Sequence, residues 1–297
     1  MGYVRTSTTM HQLQVFPRHP MIHYMGKPFA DEKVLDAFRM LACSDTAQFD
    51  PACYAVLREA ACPAIDASVS CAVLSDEIIL SMQGADIDIV TERLRSAFGD
   101  VKVLVTIRRQ FDVFQSWAEH VLKKNEYGSM ATIVEYHHKH RQTRDSILYY
   151  LDYHAFYEHL CAKLGAENVM FLPYELMRND TPAYARLLAD FLGVSVTPVN
   201  DAIASASIEN QRRRRSDIAF TDFRKRHLSP RRHKTLDRLG SAAFRLLSLS
   251  GRSAARTLQQ VRGELDREFA ASNAPLRHAL KERIAVDIAD LGYALPA

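Results

Sequence analysis

The segment Val101–Ile107, VKVLVTI, constrains the fold of this chain more than any other feature. A nearly continuous apolar run of this length is typical of a strand that is buried on both faces of a parallel sheet. A helical pattern over Asp88–Phe98 precedes the run, and a second helical pattern over Phe111–Lys124 follows it. The sequence therefore predicts a buried strand between two helices.

The same alternation of strands and helices extends to both sides of this segment. Val69–Leu74 and Val169–Leu172 are short strand-like runs, whereas Asp152–Leu164 and Pro182–Leu192 have helical spacing and are each followed by a glycine. Strands separated by helices pair in parallel through right-handed crossovers. We therefore expect an α/β fold, a three-layer sandwich with a central parallel sheet.

The end of the chain has a different pattern, because no strand signal follows Pro198. Three segments there have helical spacing, namely Ala242–Leu249, Leu258–Phe269 and Leu276–Leu291. No linker divides the sequence. We therefore predict one domain over 1–297, with an α/β core at 1–198 and a helical region at 199–297.

Composition excludes several classes of protein. Of the 297 residues, 47% are hydrophobic and 25% are charged, as in ordinary globular proteins. No apolar run approaches the ~18 residues of a membrane helix, and the first residues lack the apolar core of a signal peptide. The odd number of cysteines without a CxxC pair favours free thiols over a disulfide framework or a zinc site. These features predict a cytoplasmic protein without a metal. The five cysteines are Cys43, Cys53, Cys62, Cys71 and Cys161.

Positive charge is concentrated in one segment. Residues 212–238 contain eleven Lys or Arg and three Asp, a net charge of +8, although the whole chain carries only +3. The segment indicates an anionic ligand or surface, and the alternative is a solvated basic helix. Nucleic acid is disfavoured as the partner, because only Phe220 and Phe223 could stack on bases.

Polar residues follow two of the predicted strands at positions suited to bind an anion. In open α/β sheets, ligands bind at the carboxyl ends of the strands. Arg5-Thr6-Ser7-Thr8-Thr9 can direct hydroxyl and backbone N–H groups toward an anion at a helix N-terminus. Arg108 follows Val101–Ile107 directly, and Ser116 lies eight residues later, at the border of an apolar helix face: Val113, Phe114, Trp117, Val121.

These segments resemble the bacterial-type sulfotransferases that use 3′-phosphoadenosine 5′-phosphosulfate as donor. Arg5–Thr9 is similar to the 5′-phosphosulfate loop of that family, and Arg108 with Ser116 is similar to its 3′-phosphate motif. Further similarities are Tyr174-Glu175 after a strand, Val15–Phe29 after the loop, and the ending from Phe269 to Tyr293. The resemblance covers most of the chain and implies a P-loop-like sulfotransferase fold.

The resemblance also implies the function and the site. The chain would transfer a sulfuryl group to a hydroxyl or amine of a carbohydrate or small metabolite. Arg5 would neutralise the leaving oxygen, Arg108 and Ser116 would hold the 3′-phosphate, and a late loop containing Arg212 and Arg214 would cover the nucleotide. Thr6, Ser7, Thr8 and Thr9 would bind the phosphosulfate, and no metal would be required.

The loop departs from the family pattern in two positions. Arg5 stands for the usual lysine, and Ser7 stands for the usual glycine, so the alternative is a nucleotide-binding protein with impaired catalysis. Only Met1–Val4 precede the loop, whereas strands typically have ~5–6 residues. We therefore expect either a first strand of two or three residues or a reading frame that starts upstream.

The acceptor must lose a proton, so a general base is needed. Glu77 and Asp76 follow the predicted strand Val69–Leu74, and His23 is a further candidate. The preferred base is Glu77, although a carboxylate at a helix N-terminus also has a structural explanation. A metal site at Glu135, His137, His138 and His140 is less favoured than a solvated helix face.

Overall fold

The computed structural model describes residues 6, 8–62, 69–80, 84–124, 129–206 and 251–296. The predicted strand at 101–107 is present as β3 (Val103–Ile107), and that at 169–172 as β4 (Val169–Pro173). The two strands pair in parallel, with Val103 opposite Val169 and Ile107 opposite Pro173. Every residue of β4 is buried, as the apolar run predicts.

A second parallel pair consists of β1 (Ile22–Tyr24) and β2 (Cys71–Val73). β1 was not predicted, and β2 is shorter than the predicted strand at 69–74. In the described part of the chain, the strands form two separate two-stranded sheets, and none of them lies after Pro173. The α/β class and the parallel pairing are therefore confirmed.

Helices connect and follow these strands. The predicted helices at 88–98, 111–124, 152–164 and 182–192 are confirmed within one or two residues. No bounds were predicted for the other helices of this part of the chain. The bounds of the helices up to residue 205 are α1 (Thr8–Met10), α2 (Glu32–Cys43), α3 (Cys53–Ala61), α4 (Ile87–Phe98), α5 (Gln110–Lys124), α6 (Met130–Lys139), α7 (Tyr153–Leu164), α8 (Tyr174–Asn179), α9 (Thr181–Leu192) and α10 (Val196–Ser205).

The long helix α11 (Gly251–Ile284) replaces two predicted helices. The prediction of separate helices at 258–269 and 276–291 is wrong, because α11 continues through Pro275 and ends at Ile284. Phe269, Leu276 and Leu280 are buried at helical spacing, so the apolar stripe continues across the proline. The helix ends where Ala285 adopts a positive φ of 53°. The predicted helix at 242–249 lies outside the described residues.

Contacts divide the chain into two compact units. The first unit comprises Met1–Arg108, Tyr153–Ser207 and Pro275–Gly292, and contains both sheets. In this unit Phe171 of β4 packs against Phe156 and Tyr157 of α7, with the ring centroids of Tyr157 and Phe171 5.2 Å apart. The prediction of a single domain over 1–297 stays a prediction.

The second unit comprises Arg109–Asp152, Ile208–Ala274 and Tyr293–Ala297. Its core includes the predicted apolar face of α5, since Val113, Phe114, Trp117 and Val121 are buried. Polar contacts join α11 to α5, to α6 and to the residues that follow α6. They include a hydrogen bond of 2.6 Å from Gln110 to Asn273 and ion pairs of His138 with Glu264 and of Arg141 with Glu268.

Arg93 of α4 is a buried cation with a structural role. Its guanidinium donates to the carbonyl oxygens of Leu41, Ser44 and Asp45, at 2.9, 2.8 and 3.3 Å. It also lies over the ring of Phe49, with Cζ 3.8 Å from the centroid. The charge thus satisfies carbonyls at the C-terminal end of α2, a position that favours cations.

Two of the buried histidines, one in each unit, have strongly lowered pKa values. His11 contacts the Tyr184 hydroxyl at 2.9 Å, and burial lowers its pKa from 6.5 to about 4. His137 lies edge-on to Trp117, and its Nδ1 accepts from the backbone N–H of Ile147. Burial, together with His140 and His138, lowers the pKa of His137 from 6.5 to about 4. Both side chains are therefore neutral at pH 7.

Acid should destabilise the protein through these histidines. Between pH 6.5 and about 4, His11 and His137 are protonated in the unfolded chain but neutral in the folded protein. The free energy of unfolding should therefore fall as the pH drops through this window, by up to about 3 kcal/mol for each histidine. Urea denaturation at several pH values measures this slope. His137→Asn should flatten it, whereas His278→Gln, at a side chain that is 76% exposed, should leave it unchanged.

Gly26 allows the chain to pass closely against the end of β2. A Cβ atom on Gly26 would lie 2.5 Å from the Ser75 nitrogen and 2.7 Å from the Ser75 oxygen. A Cβ atom on Gly263 of α11 would meet no atom within 4 Å.

Alanine at these two glycines should therefore have opposite effects. Gly26→Ala should lower the free energy of unfolding by about 1–3 kcal/mol, because the added methyl group displaces backbone. Gly263→Ala should raise it by about 0.5–1 kcal/mol, since alanine favours a helix. Urea denaturation measures both changes. Equal stability of the two variants would contradict the close approach at Gly26.

Candidate functional site

The carboxyl ends of β3 and β4 bring Arg108 and Tyr174 together. Because Ile107 is paired with Pro173, the next residue of each strand leaves the sheet at the same edge. The guanidinium Cζ of Arg108 lies 5.0 Å from the centroid of the Tyr174 ring, as in a cation–π interaction. The Tyr153 hydroxyl donates to the Arg108 carbonyl oxygen at 2.6 Å. The backbone and the side chain of Arg108 are therefore both anchored.

The predicted phosphosulfate loop meets the same edge of the sheet. Thr6 is buried, and its hydroxyl lies 2.9 Å from the hydroxyl of Thr106 in β3. α1 begins at Thr8, and the helical segment continues through His11–Val15. The described threonines of the loop thus lie where a helical segment starts beside the end of a parallel strand. This arrangement is favourable for anion binding.

Glu77 connects this loop to the carboxyl ends of β1 and β2. The Thr8 hydroxyl donates to Glu77 Oε1 at 2.6 Å, and Lys27 Nζ donates to Glu77 Oε2 at 3.3 Å. The side chain of Glu77 is 19% exposed, whereas that of Lys27 is 55% exposed. One carboxylate therefore holds a hydroxyl of the loop with one oxygen and an ammonium group with the other.

The pKa values of the two neighbouring carboxyl groups, Glu77 and Asp76, are shifted in opposite directions. Burial disfavours ionisation of Glu77, but the hydrogen bond from Thr8, a backbone N–H group and Lys27 outweigh it and lower the pKa. Burial raises the pKa of Asp76, although the backbone N–H of Ile78 donates to Asp76 at 3.0 Å. At neutral pH Glu77 is therefore a carboxylate, which can accept a proton.

Hydrogen bonds to Ser75 fix the backbone next to Lys27 and Glu77. The Lys27 backbone N–H donates to the Ser75 carbonyl oxygen at 3.0 Å, beside the tight approach of Gly26. The buried amide of Gln12 donates to the Ser75 hydroxyl at 3.3 Å. The residues after β1 and β2 are thus connected to each other and to the helical segment that follows the loop.

The structure brings some of the predicted site residues together and places others apart. Thr6, Thr8, Glu77 and Arg108 lie at the carboxyl ends of the strands, and half-buried Thr9 lies in α1. His23 does not join them. Its Nε2 contacts the Ala60 carbonyl oxygen at 2.8 Å, and successive residues of a strand face opposite sides. Ser116 is half-buried in α5, which belongs to the second unit.

Several predicted features lie outside the described residues. They are the expected first strand and the basic segment 212–238, together with four site residues: Arg5, Ser7, Arg212 and Arg214.

The prediction of a solvated face for the histidine cluster is wrong for His137. That side chain is fully buried beside Trp117, because its Nδ1 is satisfied by Ser146 and Ile147. His138 pairs with Glu264, and His140 contacts the Tyr136 carbonyl oxygen. No group of three or more His, Cys, Asp or Glu in the described part of the chain could hold a metal ion. The five cysteines are free thiols.

Sequence reasoning missed Lys27 as a residue of the site. Lys27 follows β1, and the rule that places ligands at the carboxyl ends of strands would have identified it. The strand itself was not predicted, because Ile22–Tyr24 has only three residues.

The chain is similar to known sulfotransferases in part of its sequence and in its fold. The model of the sulfotransferase domain family matches residues 90–234. The chain has the fold of a sulfotransferase from Alicyclobacillus acidocaldarius, whose crystal structure aligns with a TM-score of 0.52 and 16% identity, over 98% of this chain and 96% of that chain. No curated protein matches the chain.

The matched domain identifies the protein as a transferase enzyme. The family match over residues 90–234 confirms the resemblance to sulfotransferases that was seen in the sequence. Among the described residues, no helix is long and apolar enough to cross a membrane.

Proposed function

We propose that the enzyme transfers a sulfuryl group from 3′-phosphoadenosine 5′-phosphosulfate to a hydroxyl or amine of a carbohydrate or small metabolite. The observation that carries this proposal is the hydrogen bond between Thr6 and Thr106. It holds the threonine loop at the edge of the sheet from which Arg108 extends. The proposed architecture is the three-layer sandwich of the family, and the proposed location is the cytoplasm.

The loop is suited to the 5′-phosphosulfate end of the donor. Thr8 and Thr9 lie in the first turn of the helical segment, where backbone N–H groups favour an anion. Arg5 and Ser7 would complete the loop. Arg5 would stabilise the negative charge that develops on the leaving phosphate oxygen, as a fixed cation and not as a proton donor.

Arg108 is suited to the 3′-phosphate. Its guanidinium is held over Tyr174, and an arginine can bind phosphate through two parallel hydrogen bonds. Roles for Ser116, Arg212 and Arg214 in binding the nucleotide remain predictions from the sequence.

Glu77 is the proposed general base. Its carboxylate is ionised and lies next to the loop that would hold the sulfuryl group. During transfer the acceptor oxygen or nitrogen would form a bond to sulfur and lose its proton to Glu77. The bond between sulfur and the bridging oxygen would break, and its electron pair would leave with adenosine 3′,5′-bisphosphate. Asp76 is the neighbouring alternative, whereas His23 is directed toward Ala60.

Arg108→Ala should weaken binding of adenosine 3′,5′-bisphosphate. The loss of a charge-assisted contact should cost about 1.5–3 kcal/mol, which corresponds to an increase in Kd of roughly 10- to 150-fold. Isothermal titration calorimetry measures this change. Arg109→Ala is the matched control, because Arg109 forms an ion pair with Asp112 at 2.6 Å, and its Kd should stay within about twofold of wild type.

Two other outcomes of this experiment would contradict the proposal. Equal affinity of wild type and Arg108→Ala would remove Arg108 from the site. Absence of any bisphosphate binding, together with salt-dependent binding of DNA, would instead favour an anionic-surface protein that acts through 212–238.

Glu77→Gln should reduce turnover, because the amide cannot accept the proton. The transfer rate should fall by more than about tenfold, since general bases contribute roughly 10²–10⁴. Glu59→Gln removes the same charge from an exposed position of α3 and should leave the rate unchanged. If wild type binds the bisphosphate but turns over no acceptor, the impaired-catalysis alternative is supported. A Glu77→Gln rate within tenfold of wild type would move the base to Asp76.

A further inference from the structure

Glu77 occupies two groups that have the chemistry of an anion site. Its carboxylate accepts the Thr8 hydroxyl at 2.6 Å and the Lys27 ammonium at 3.3 Å. Thr8 is buried at the start of a helical segment, where a phosphate or sulfate group would be favoured. A carboxylate of the chain thus takes the contacts that an external oxyanion would make.

The number of protons makes the Thr8 contact exclusive. A threonine hydroxyl has one proton, so Thr8 cannot donate to Glu77 and to a bound oxyanion at the same time. Lys27 has three protons but one positive charge, which Glu77 and a bound oxyanion would have to share. An incoming anionic donor therefore competes with Glu77 for Thr8 and Lys27.

We propose that donor binding transfers the Thr8 and Lys27 contacts from Glu77 to the phosphosulfate and thereby exposes the Glu77 carboxylate to the acceptor. This inference rests on the proposed function and adds Lys27 to the donor site. Without the donor, Glu77 is engaged by Thr8 and Lys27. With the donor bound, Glu77 can take the proton of the acceptor, while Lys27 lies near the charge of the donor. The donor consequently binds before the acceptor.

The surroundings of Glu77 allow the Lys27 side chain to move. Asp76 lies near the charges of Glu77 and Lys27, and Tyr24 lies near those of Asp76 and Glu77. Lys27 is more than half exposed, so its flexible side chain can turn toward a ligand without disturbing the core. The backbone of Lys27 is fixed to Ser75, which limits the movement to the side chain.

The affinity of Glu77→Gln for adenosine 3′,5′-bisphosphate shows whether Glu77 competes with the donor or only orders the loop. If Glu77 competes with the donor, Glu77→Gln should bind adenosine 3′,5′-bisphosphate about 3- to 10-fold more tightly than wild type, although turnover is lost. If Glu77 only orders the loop, the same variant should bind the bisphosphate more weakly. Calorimetry on the full chain measures both outcomes, and Glu59→Gln controls for the change in net charge.

Lys27→Met provides a second test, which remains informative if Glu77→Gln does not fold. Since Lys27 is exposed, its loss should leave the melting temperature close to that of wild type. The bisphosphate Kd should rise at least about fivefold, whereas Lys33→Met, at an exposed position of α2, should leave it unchanged. An unchanged Kd for Lys27→Met, or weaker binding by Glu77→Gln, would overturn the inference. If wild type does not bind the bisphosphate, the proposed donor itself is wrong.

Discussion

The parallel register of β3 and β4 is the constraint on which the candidate site depends. Because Ile107 is opposite Pro173, Arg108 and Tyr174 leave the sheet side by side, and the Arg108 guanidinium lies over the aromatic ring. One residue of slippage would turn alternate side chains to the opposite face of the sheet and separate this pair. Thr106 of the same strand anchors the threonine loop through Thr6. Two strands of five residues each thus position two parts of the proposed donor site.

The pair of β1 and β2 positions the carboxylate that we propose as the general base. This pair is short, so its geometry depends on close contacts beyond the strands themselves. Gly26 passes against Ser75 where a side chain would collide, and Gln12 reaches Ser75 from the helical segment. Lys27 and Glu77 follow directly, and Thr8 joins them to the loop. Glycine at position 26 therefore permits the close approach to Ser75 beside which the Lys27 backbone is hydrogen-bonded.

The elements that were predicted correctly have a local signal in the sequence. β3 and β4 are apolar runs, and helices such as α4 and α9 have apolar residues at helical spacing and a glycine after their last residue. β1 was missed, since three residues give no periodicity, and Lys27 was missed with it. The break predicted near Pro275 was wrong, because buried leucines continue the stripe of α11. The burial of Arg93 could not be predicted, as its carbonyl partners lie about fifty residues away.

In the site, Thr6, Thr8, Glu77 and Arg108 follow from the rule that places ligands at the carboxyl ends of strands, whereas the contacts among them depend on tertiary packing.

The stacking of Arg108 on Tyr174 also affects the entropy of ligand binding. A free arginine side chain has roughly 2 kcal/mol of rotamer entropy to lose when it is fixed by a ligand. The Tyr174 ring restricts the Arg108 side chain before any ligand arrives, so part of this loss has already occurred during folding. Stacking engages the face of the guanidinium, whereas hydrogen bonds to a phosphate are made by its edge. Tyr174 therefore preorganises the Arg108 guanidinium for an oxyanion.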